Sequence, residues 1–338
     1  MTLYAGIDLH STNNFIGIID ENSKRLFNKK LPNNTEKILK ALDTYKNDIG
    51  SVVVESTYNW YWLVDALREK GYPVVLANPC AIQRYSGLKY TDDEDDAFWL
   101  ADMSRLGILP TGYIYPKEER PVRDLLRRRM MFVRNRATYK NSLRSLMARH
   151  TGKNIPGSRL YRFTDEELSQ YLTDPMVIRT ARHILDGIAA TDKIIVSIEK
   201  EVLSRVKLKE EYLLLQTIPG IGMILALTIM LEAGDIGRFR GVGNYSSYCR
   251  CVKSERTSNG KKKGKNNRKN GNRYLGWAYL EAAHFTIVHS PNAKRFYERK
   301  KKSAHEFVAL KAVSNKLARA SYYIMRDHVP YDVHRCFA

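Results

Sequence analysis

The stretch LYAGIDLH, residues 3–10, decides the fold of the N-terminal part of this 338-residue chain. Its apolar run, broken by one carboxylate at Asp8, predicts a buried β-strand. The segments NNFIGIID (13–20) and KRLFNKKLP (24–32) follow after short polar gaps and repeat the pattern. We therefore predict three consecutive strands, with the first two adjacent in one sheet.

Helical and strand patterns then alternate. Helices are predicted over TEKILKALDTYK, WYWLVDALREKG and DAFWLADMSRLG, and strands over SVVVEST and PVVLANP. Three strands followed by this alternation indicate an α/β unit. The order matches a ribonuclease H-like arrangement, although doubly wound nucleotide-binding folds share parts of it.

A segment with three prolines and one glycine, ILPTGYIYPKEERP (108–121), separates this unit from a mainly helical remainder. We predict three parts: an α/β domain over 1–110, a basic helical and coiled-coil region over 111–208, and a mainly helical domain over 209–338. The second part holds apolar residues at alternating steps of four and three, Val177, Ala181, Ile184, Ile188, Thr191, Ile195, Ile198 and Val202. This heptad seam predicts a coiled coil, either with the preceding helix or, as we favour, with another protomer.

Charge points to a polyanionic partner. The chain carries a net charge of +20, with −3 on residues 1–110 and +23 on the remaining 228. Around residues 120–149 the cations, ten Lys and Arg, face a single acid, Asp124. Such an imbalance repels itself unless phosphates lie near, so we expect nucleic-acid contact here.

Composition also excludes several classes. Mean hydropathy is −0.43 and no basic N-terminal region leads into an apolar one, so we expect a cytoplasmic protein without membrane contact. The four cysteines form no CxxC pair, which argues against structural zinc. The phosphate-binding loop GxxxxGK[ST] is lacking, so ATP is not expected as a cofactor.

Acidic residues at three separate positions of the sequence suggest a metal site. Asp8 lies inside a predicted strand between Ile7 and Leu9, Glu55 ends another strand, and Asp92 to Asp96 open a predicted helix. Acids in a first helical turn are ordinary capping residues. Together, however, converging carboxylates need a divalent cation, and Mg²⁺ suits chemistry on phosphates. Either Asp93 or Asp92 could share a helix face with Asp96.

Two further segments are suited to nucleic acid. Pro219-Gly220-Ile221-Gly222, between apolar helices, resembles a helix-hairpin-helix, although a purely structural turn fits equally well. Residues 253–274 carry nine Lys or Arg and one Glu. We expect this basic segment to stay unfolded until nucleic acid binds.

Five separated motifs of the chain resemble those of the DEDD transposases with a RuvC-like domain. They are GIDLH, VVVEST, the DxxDA of Asp93 to Ala97, TIPGIG and SERTSNGK. These transposases are serine-dependent, bridge-RNA-guided insertion-sequence recombinases related to pilin-gene invertases. The resemblance implies metal-binding acids at Asp8, Glu55, Asp93 and Asp96, and a C-terminal transposase domain with a nucleophilic serine. The Ser-Ser-Gly-Gly-like motif of the family aligns that serine with Ser258, with Ser254 as the alternative. Thr257 and Asn259 depart from the motif.

The resemblance implies a recombinase that cuts and reseals DNA through a phosphoserine link, with Mg²⁺, or Mn²⁺ in its place, bound by the four acids. It also implies double-stranded donor and target DNA, a structured guide RNA, and a dimer or tetramer in which acids and serine come from different protomers. The alternative is a metal-only RuvC-like junction resolvase or nuclease, in which water attacks and no covalent link forms.

Overall fold

The computed structural model describes residues 1–82, 93–205, 209–252, 256–264 and 270–337. The chain divides into two compact units, Met1–Lys117 and Glu118–Ala338. No helix within the described ranges is both long and apolar enough to cross a bilayer.

The first unit is a mixed five-stranded sheet with three helices. Its elements are β1 (Leu3–Leu9), β2 (Asn13–Ile19), β3 (Arg25–Pro32), α1 (Thr35–Asp43), β4 (Ile49–Glu55), α2 (Tyr61–Glu69), β5 (Val74–Ala77) and α3 (Asp93–Arg105). The strand order is β3-β2-β1-β4-β5. The first three strands pair antiparallel, whereas β4 is parallel to both β1 and β5. The predicted elements and the adjacency of the first two strands are confirmed.

Apolar side chains on both faces of β1 and β4 explain why these strands occupy the middle of the sheet. Ile7 and Val54, which are register partners, are fully buried. Strands with continuous apolar runs are covered on both sides, and here helices pack against them. The carboxyl ends of β1 and β4 therefore open at the same edge of the sheet.

The second unit is almost entirely helical. Its elements are α4 (Arg120–Thr151), α5 (Gly157–Leu160), α6 (Asp165–Ser169), α7 (Pro175–Arg205), α8 (Glu210–Leu215), α9 (Met223–Ala233), a 3₁₀ turn (Ile236–Arg238), α10 (Val242–Tyr248), β6 (Arg256–Ser258), β7 (Lys261–Gly264), α11 (Arg273–His289), α12 (Pro291–Lys301), α13 (Glu306–Asp327) and α14 (Val333–Phe337). The expectation of an α/β part followed by a mainly helical remainder is confirmed. Thr164 and Glu167 form a capping box on α6, and α7 begins at Pro175.

The heptad seam on α7 faces α4 of the same chain. Two ion pairs fix an antiparallel register, Arg129 to Glu199 at 2.6 Å and Arg136 to Asp192 at 2.5 Å. Most seam residues are buried, including Ile188. The alternative of pairing within the chain is therefore the one adopted, and the seam is not available for the self-association that we favoured.

The basic face of α4 is also partly internal. Arg120 and Arg123 are buried, and Arg127 lies beside a glutamate of α9, Glu232. Asp124 is the single acid within 120–149, but acids on α7 and α9 pair with four of the cations of α4 and so reduce the imbalance. Arg128 and Arg134 remain exposed and suited to phosphate contact.

Candidate metal site and nucleophile hairpin

Asp8 and Glu55 lie at the carboxyl ends of neighbouring parallel strands. Ile7 pairs with Val54, so the two acids occupy the next step of the same register. Asp8 is 5% exposed and Glu55 is half-buried. Side chains at matching positions of parallel strands leave the sheet on the same face, so both acids lie on one side of the sheet.

Gly6 allows the helix that carries the remaining acids to approach the sheet. A Cβ atom at Gly6 would stand 1.9 Å from the carbonyl oxygen of Ala97 and 2.9 Å from the amide nitrogen of Ala101. Gly17 on β2 similarly accommodates the ring of Phe98. Gly6 therefore lets the backbone of α3 rest directly on β1, and Gly17 leaves room for the Phe98 side chain over β2.

His10 connects Asp8 with Asp93, the first residue of α3. The Nε2 atom of His10 lies 3.2 Å from Oδ2 of Asp8 and 3.3 Å from Oδ2 of Asp93. Ligand atoms of these three residues all lie within 4.8 Å of one another. Asp93 is half-exposed and Asp8 is buried, so the group opens toward solvent on one side.

The backbone around His10 is held firmly. Its carbonyl oxygen accepts hydrogen bonds from the side-chain amides of Asn33, at 3.0 Å, and Asn59, at 2.9 Å. Its amide donates to the carbonyl of Asn13 at 2.9 Å, and its ring meets the Phe15 ring edge-on. The imidazole is therefore positioned before any ligand binds.

The acids of the run have different surroundings. Arg25 pairs with Asp95 at 2.8 Å and with Glu94 at 3.6 Å, while its guanidinium lies over the ring of Phe98. Asp93 instead faces Asp8 and His10, and Asp96 is half-buried one turn further along α3. Asp92, the alternative ligand, lies outside the described residues.

The donor set fits a divalent cation. The Nε2 atom of His10 is buried and has no hydrogen bond of acceptable geometry among the described residues, although two carboxylates stand within 3.3 Å. Carboxylate oxygens of Asp8 and Asp93 and the imidazole nitrogen of His10 are atoms that commonly bind divalent metal ions in proteins. A cation among them would engage the orphaned nitrogen and neutralise the converging carboxylates.

Sequence reasoning missed His10. A lone histidine has no spacing signature, but His10 is two residues from Asp8 in an extended segment. Residues i and i+2 of a strand lie on one face, and that spacing was the available signal.

Ser258, the serine predicted as nucleophile, lies at the tip of a β-hairpin. β6 and β7 pair antiparallel with Ser258 opposite Lys261, joined by Asn259 at φ 50° and Gly260 at φ 70°. Positive φ at both turn residues is the type I′ arrangement for which Asn-Gly is the preferred dipeptide. Asn tolerates this conformation, so the departure from the glycine of the family motif retains the turn.

The hairpin corrects one expectation. Residues 253–274 were predicted to stay unfolded until nucleic acid binds, yet 256–264 form two strands and α11 begins at Arg273. The reason is the Asn-Gly turn, which overrides the polar composition. Ser258 is exposed, whereas the alternative nucleophile Ser254 lies outside the described residues.

A buried carboxylate anchors the chain just after the hairpin. Glu232 of α9 is 2% exposed and accepts hydrogen bonds from Arg123, at 3.2 Å, Arg127 and Asn272, at 2.7 Å. Burial raises the pKa of Glu232, but the hydrogen bond from Arg127 and the charges of Arg123 and Arg127 outweigh it and hold the pKa below 4.5. Asn272 also caps α11, so one carboxylate ties α4, α9 and α11 together.

Two family models match separate parts of the chain. One, described as a transposase of the DEDD type of IS110, matches residues 5–151. The other, described as transposase IS116/IS110/IS902 family, matches residues 212–298. The mixed sheet of the first unit is consistent with a DEDD nuclease-like fold. The first match contains Asp8, Glu55 and Asp93, and the second contains Ser258.

Individual relatives agree with these matches. The chain is 25% identical over 198 residues to y4qE of Sinorhizobium fredii, named as a suspected transposase, covering 59% of this chain and 48% of that protein. It is 24% identical over 253 residues to the transposase for insertion sequence element IS1111A of Coxiella burnetii, covering 72% of this chain and 68% of that protein. The chain thus spans about half the length of the first of these relatives.

Proposed function

Because this chain carries both transposase domains of the IS110/IS116/IS902 group, we propose that it is a DNA recombinase that cuts and reseals strands through a phosphoserine link. The observation that carries the proposal is the convergence of Asp8, His10 and Asp93 at the edge of the sheet. Two carboxylates beside a buried nitrogen that lacks a hydrogen bond are suited to binding a divalent metal ion, and such ions catalyse reactions of phosphate esters.

Asp8, Glu55, Asp93 and Asp96 are the proposed ligands of Mg²⁺, with Mn²⁺ as a substitute, and the Nε2 atom of His10 is proposed as a further ligand. A divalent cation bound there would supply charge that stabilises the oxygens of the scissile phosphate and of the leaving group. The buried carboxylate of Asp8 is the rigid member of the set, since it stands on a central strand. Asp93 and Asp96 stand on α3, whose distance from the sheet is set by Gly6.

Ser258 is the proposed nucleophile. Its hydroxyl oxygen would form a bond to the phosphorus as the bond from phosphorus to the sugar oxygen breaks. The serine proton leaves to a base, and the released sugar oxygen gains a proton. A phosphodiester link replaces a phosphodiester link, so strands can be resealed without ATP. The exposed hairpin tip lets the hydroxyl reach a duplex, and basic residues such as Lys261 border it.

The partners follow from the same proposal. Double-stranded donor and target DNA are the substrates, and a structured guide RNA selects them by base pairing. Exposed cations such as Arg128 and Arg134 are suited to the backbones of either nucleic acid. The acids of one protomer would meet the serine of another in a dimer or tetramer.

Covalent capture tests the nucleophile. Purified protein is incubated with Mg²⁺, donor and target DNA and the RNA that co-purifies with it, and protein-DNA adducts are resolved under denaturing conditions. Ser258→Ala should abolish both the adduct and strand cleavage, whereas the matched variant Ser254→Ala should retain both. Cleavage that persists in Ser258→Ala without an adduct would establish the metal-only nuclease instead.

Metal binding is tested without the reaction. Titration of Mn²⁺ followed by electron paramagnetic resonance should show a bound ion in the wild-type protein and a large loss of affinity in Asp8→Asn. Asp95→Asn is the matched control, since Asp95 pairs with Arg25 rather than with the site. Equal affinity in both variants would refute the ligand assignment.

Sequencing the nucleic acid that co-purifies with the chain tests guidance. A structured RNA encoded beside the gene supports it. Protein free of RNA that still recombines its sites would show that the protein alone selects DNA.

A further inference from the structure

A cavity of about 490 Å³ lies between the C-terminal half of α13 and the segment that turns back into α14. Its lining includes four cations, Lys316, Arg319, Arg326 and Arg335, and two acids, Asp327 and Asp332. Its volume lies within the ~300–1,000 Å³ typical of small-ligand sites. No function proposed above uses this cavity.

The two acids that line the cavity already accept hydrogen bonds from neighbouring residues. Asp327 accepts two hydrogen bonds from Arg326, and Asp332 accepts from the amides of His334 and Arg335 at the start of α14. Lys316 and Arg319, in contrast, have no acidic partner within the described part of the chain. The cavity therefore offers uncompensated positive charge, which favours an anionic ligand.

An aromatic ring stands among these cations. Lys316, Arg319, Tyr323 and Arg326 follow one another at steps of three and four on α13, so they share one helix face. Tyr323 is 39% exposed, and the guanidinium of Arg326 lies 4.9 Å from its ring centre. Ala320, one turn before Tyr323, lines the same wall with only a methyl group.

The opposite wall is held in place. The amide of Tyr331 donates to the hydroxyl of Thr217 at 2.9 Å, and Nδ1 of His328 lies 3.2 Å from a carboxylate oxygen of Glu210. Beyond them Cys336 and Phe337 are buried, with the Phe337 ring against Phe296. A cavity whose walls are fixed by such contacts is formed before the ligand arrives.

We propose that this cavity binds one nucleotide of a single-stranded nucleic acid, with the base stacked on Tyr323 and the phosphate on Arg319. Aromatic rings flanked by cations are the usual means of holding unpaired bases, because every base offers a face for stacking and every linkage a charge. This inference depends on the proposed function in one respect, that the ligand is a nucleic acid. It adds a site for an unpaired segment, which a folded RNA or a displaced DNA strand would supply.

Binding is measured by fluorescence anisotropy with labelled oligouridine and oligothymidine of about 12 nucleotides, in EDTA so that no strand is cut. Tyr323→Ala should weaken binding at least about fivefold, with Tyr323→Phe restoring it. Arg319→Gln should lower the slope of log Kd against log salt by about 0.7, whereas Tyr323→Ala should leave that slope unchanged. The oligomer that binds more tightly identifies RNA or DNA as the source.

The matched control is Arg179→Gln, which removes a cation of α7 that is exposed, as Arg319 is. If it changes affinity and salt slope as much as Arg319→Gln does, only overall charge matters and the site is refuted. Photocrosslinking with an iodouracil-containing oligonucleotide locates the bound base directly, and the crosslinks should fall on the peptide Ala320–Arg326. Crosslinks confined to other peptides would overturn the proposal. Because the assay needs no cleavage, its outcome is independent of whether the phosphoserine adduct forms.

Discussion

Gly6→Ala should separate the acids of α3 from Asp8. The added Cβ would stand 1.9 Å from the carbonyl oxygen of Ala97, whereas a Cβ atom essentially never lies within 3.0 Å of another non-bonded heavy atom. The obstacle is helix backbone rather than a side chain, so α3 must retreat by at least about 1 Å. Overpacking of this kind costs about 1–3 kcal/mol of unfolding free energy. A displacement of about 1 Å at a reacting centre costs about 100-fold in rate.

The measurement pairs urea unfolding with the rate of protein-DNA adduct formation. Gly50→Ala is the matched control, because Gly50 lies on β4 of the same sheet and a Cβ there meets the side-chain methyl group of Thr2 at 2.6 Å and the carbonyl oxygen of Leu3 at an ordinary 3.7 Å. We expect Gly6→Ala to lose both stability and rate while Gly50→Ala keeps the rate. If the two variants are equally active, the close approach at Gly6 does not position the acids and the reasoning fails.

Three further outcomes follow from the second unit. Asn259→Val should disrupt the hairpin, because a β-branched residue at φ 50° costs about 1–3 kcal/mol, and hydrogen exchange of residues 256–264 should accelerate while Asn259→Gly stays protected. Glu232→Gln should lower the unfolding free energy by about 3–5 kcal/mol, since it leaves the buried Arg123 and the half-buried Arg127 without a carboxylate; a loss below about 1 kcal/mol in urea titrations would contradict this. The pKa of Glu232 is lower in the folded chain than its ordinary 4.5, so its stabilising contribution is present above pH 4.5 and declines as pH falls toward the folded pKa. The difference between wild type and Glu232→Gln should therefore shrink in acid, and a difference that grows would refute the pairing.

The fold of the first unit was predictable because its signals are local. β1 and β4 are short apolar runs bounded by polar residues, and Asp8 and Glu55 interrupt those runs where the strands end. Such patterns need no knowledge of distant residues. The approach of α3 to the sheet was not predictable, because it depends on Gly6 meeting a backbone about 90 residues later.

The surroundings of the basic helix α4, in contrast, could not be predicted from local signals. The sequence displays the cations of α4 together, but the acids that pair with them, Glu199 and Glu232, are separated from Arg129 and Arg127 by 70 and 105 residues. Side-chain pairing across packed helices is fixed by the tertiary fold, so a count of neighbouring charges overestimates what remains for nucleic acid. The hairpin at Ser258 is hard to predict for another reason: the basic, polar composition of residues 253–274 predicts no structure, and the turn signal occupies only Asn259 and Gly260.

β3 limits how copies of the chain can associate. It is an outer strand of the sheet, and Lys29 and Lys30 are exposed along it just before Pro32. Outer strands offer unpaired amides and carbonyls to any approaching chain, and lysine and proline are the residues that discourage such strand addition. A continuous sheet running from one copy to the next through β3 would have to desolvate both ammonium groups. The residues of β3 therefore disfavour association of two copies through this edge and protect the sheet from aggregation.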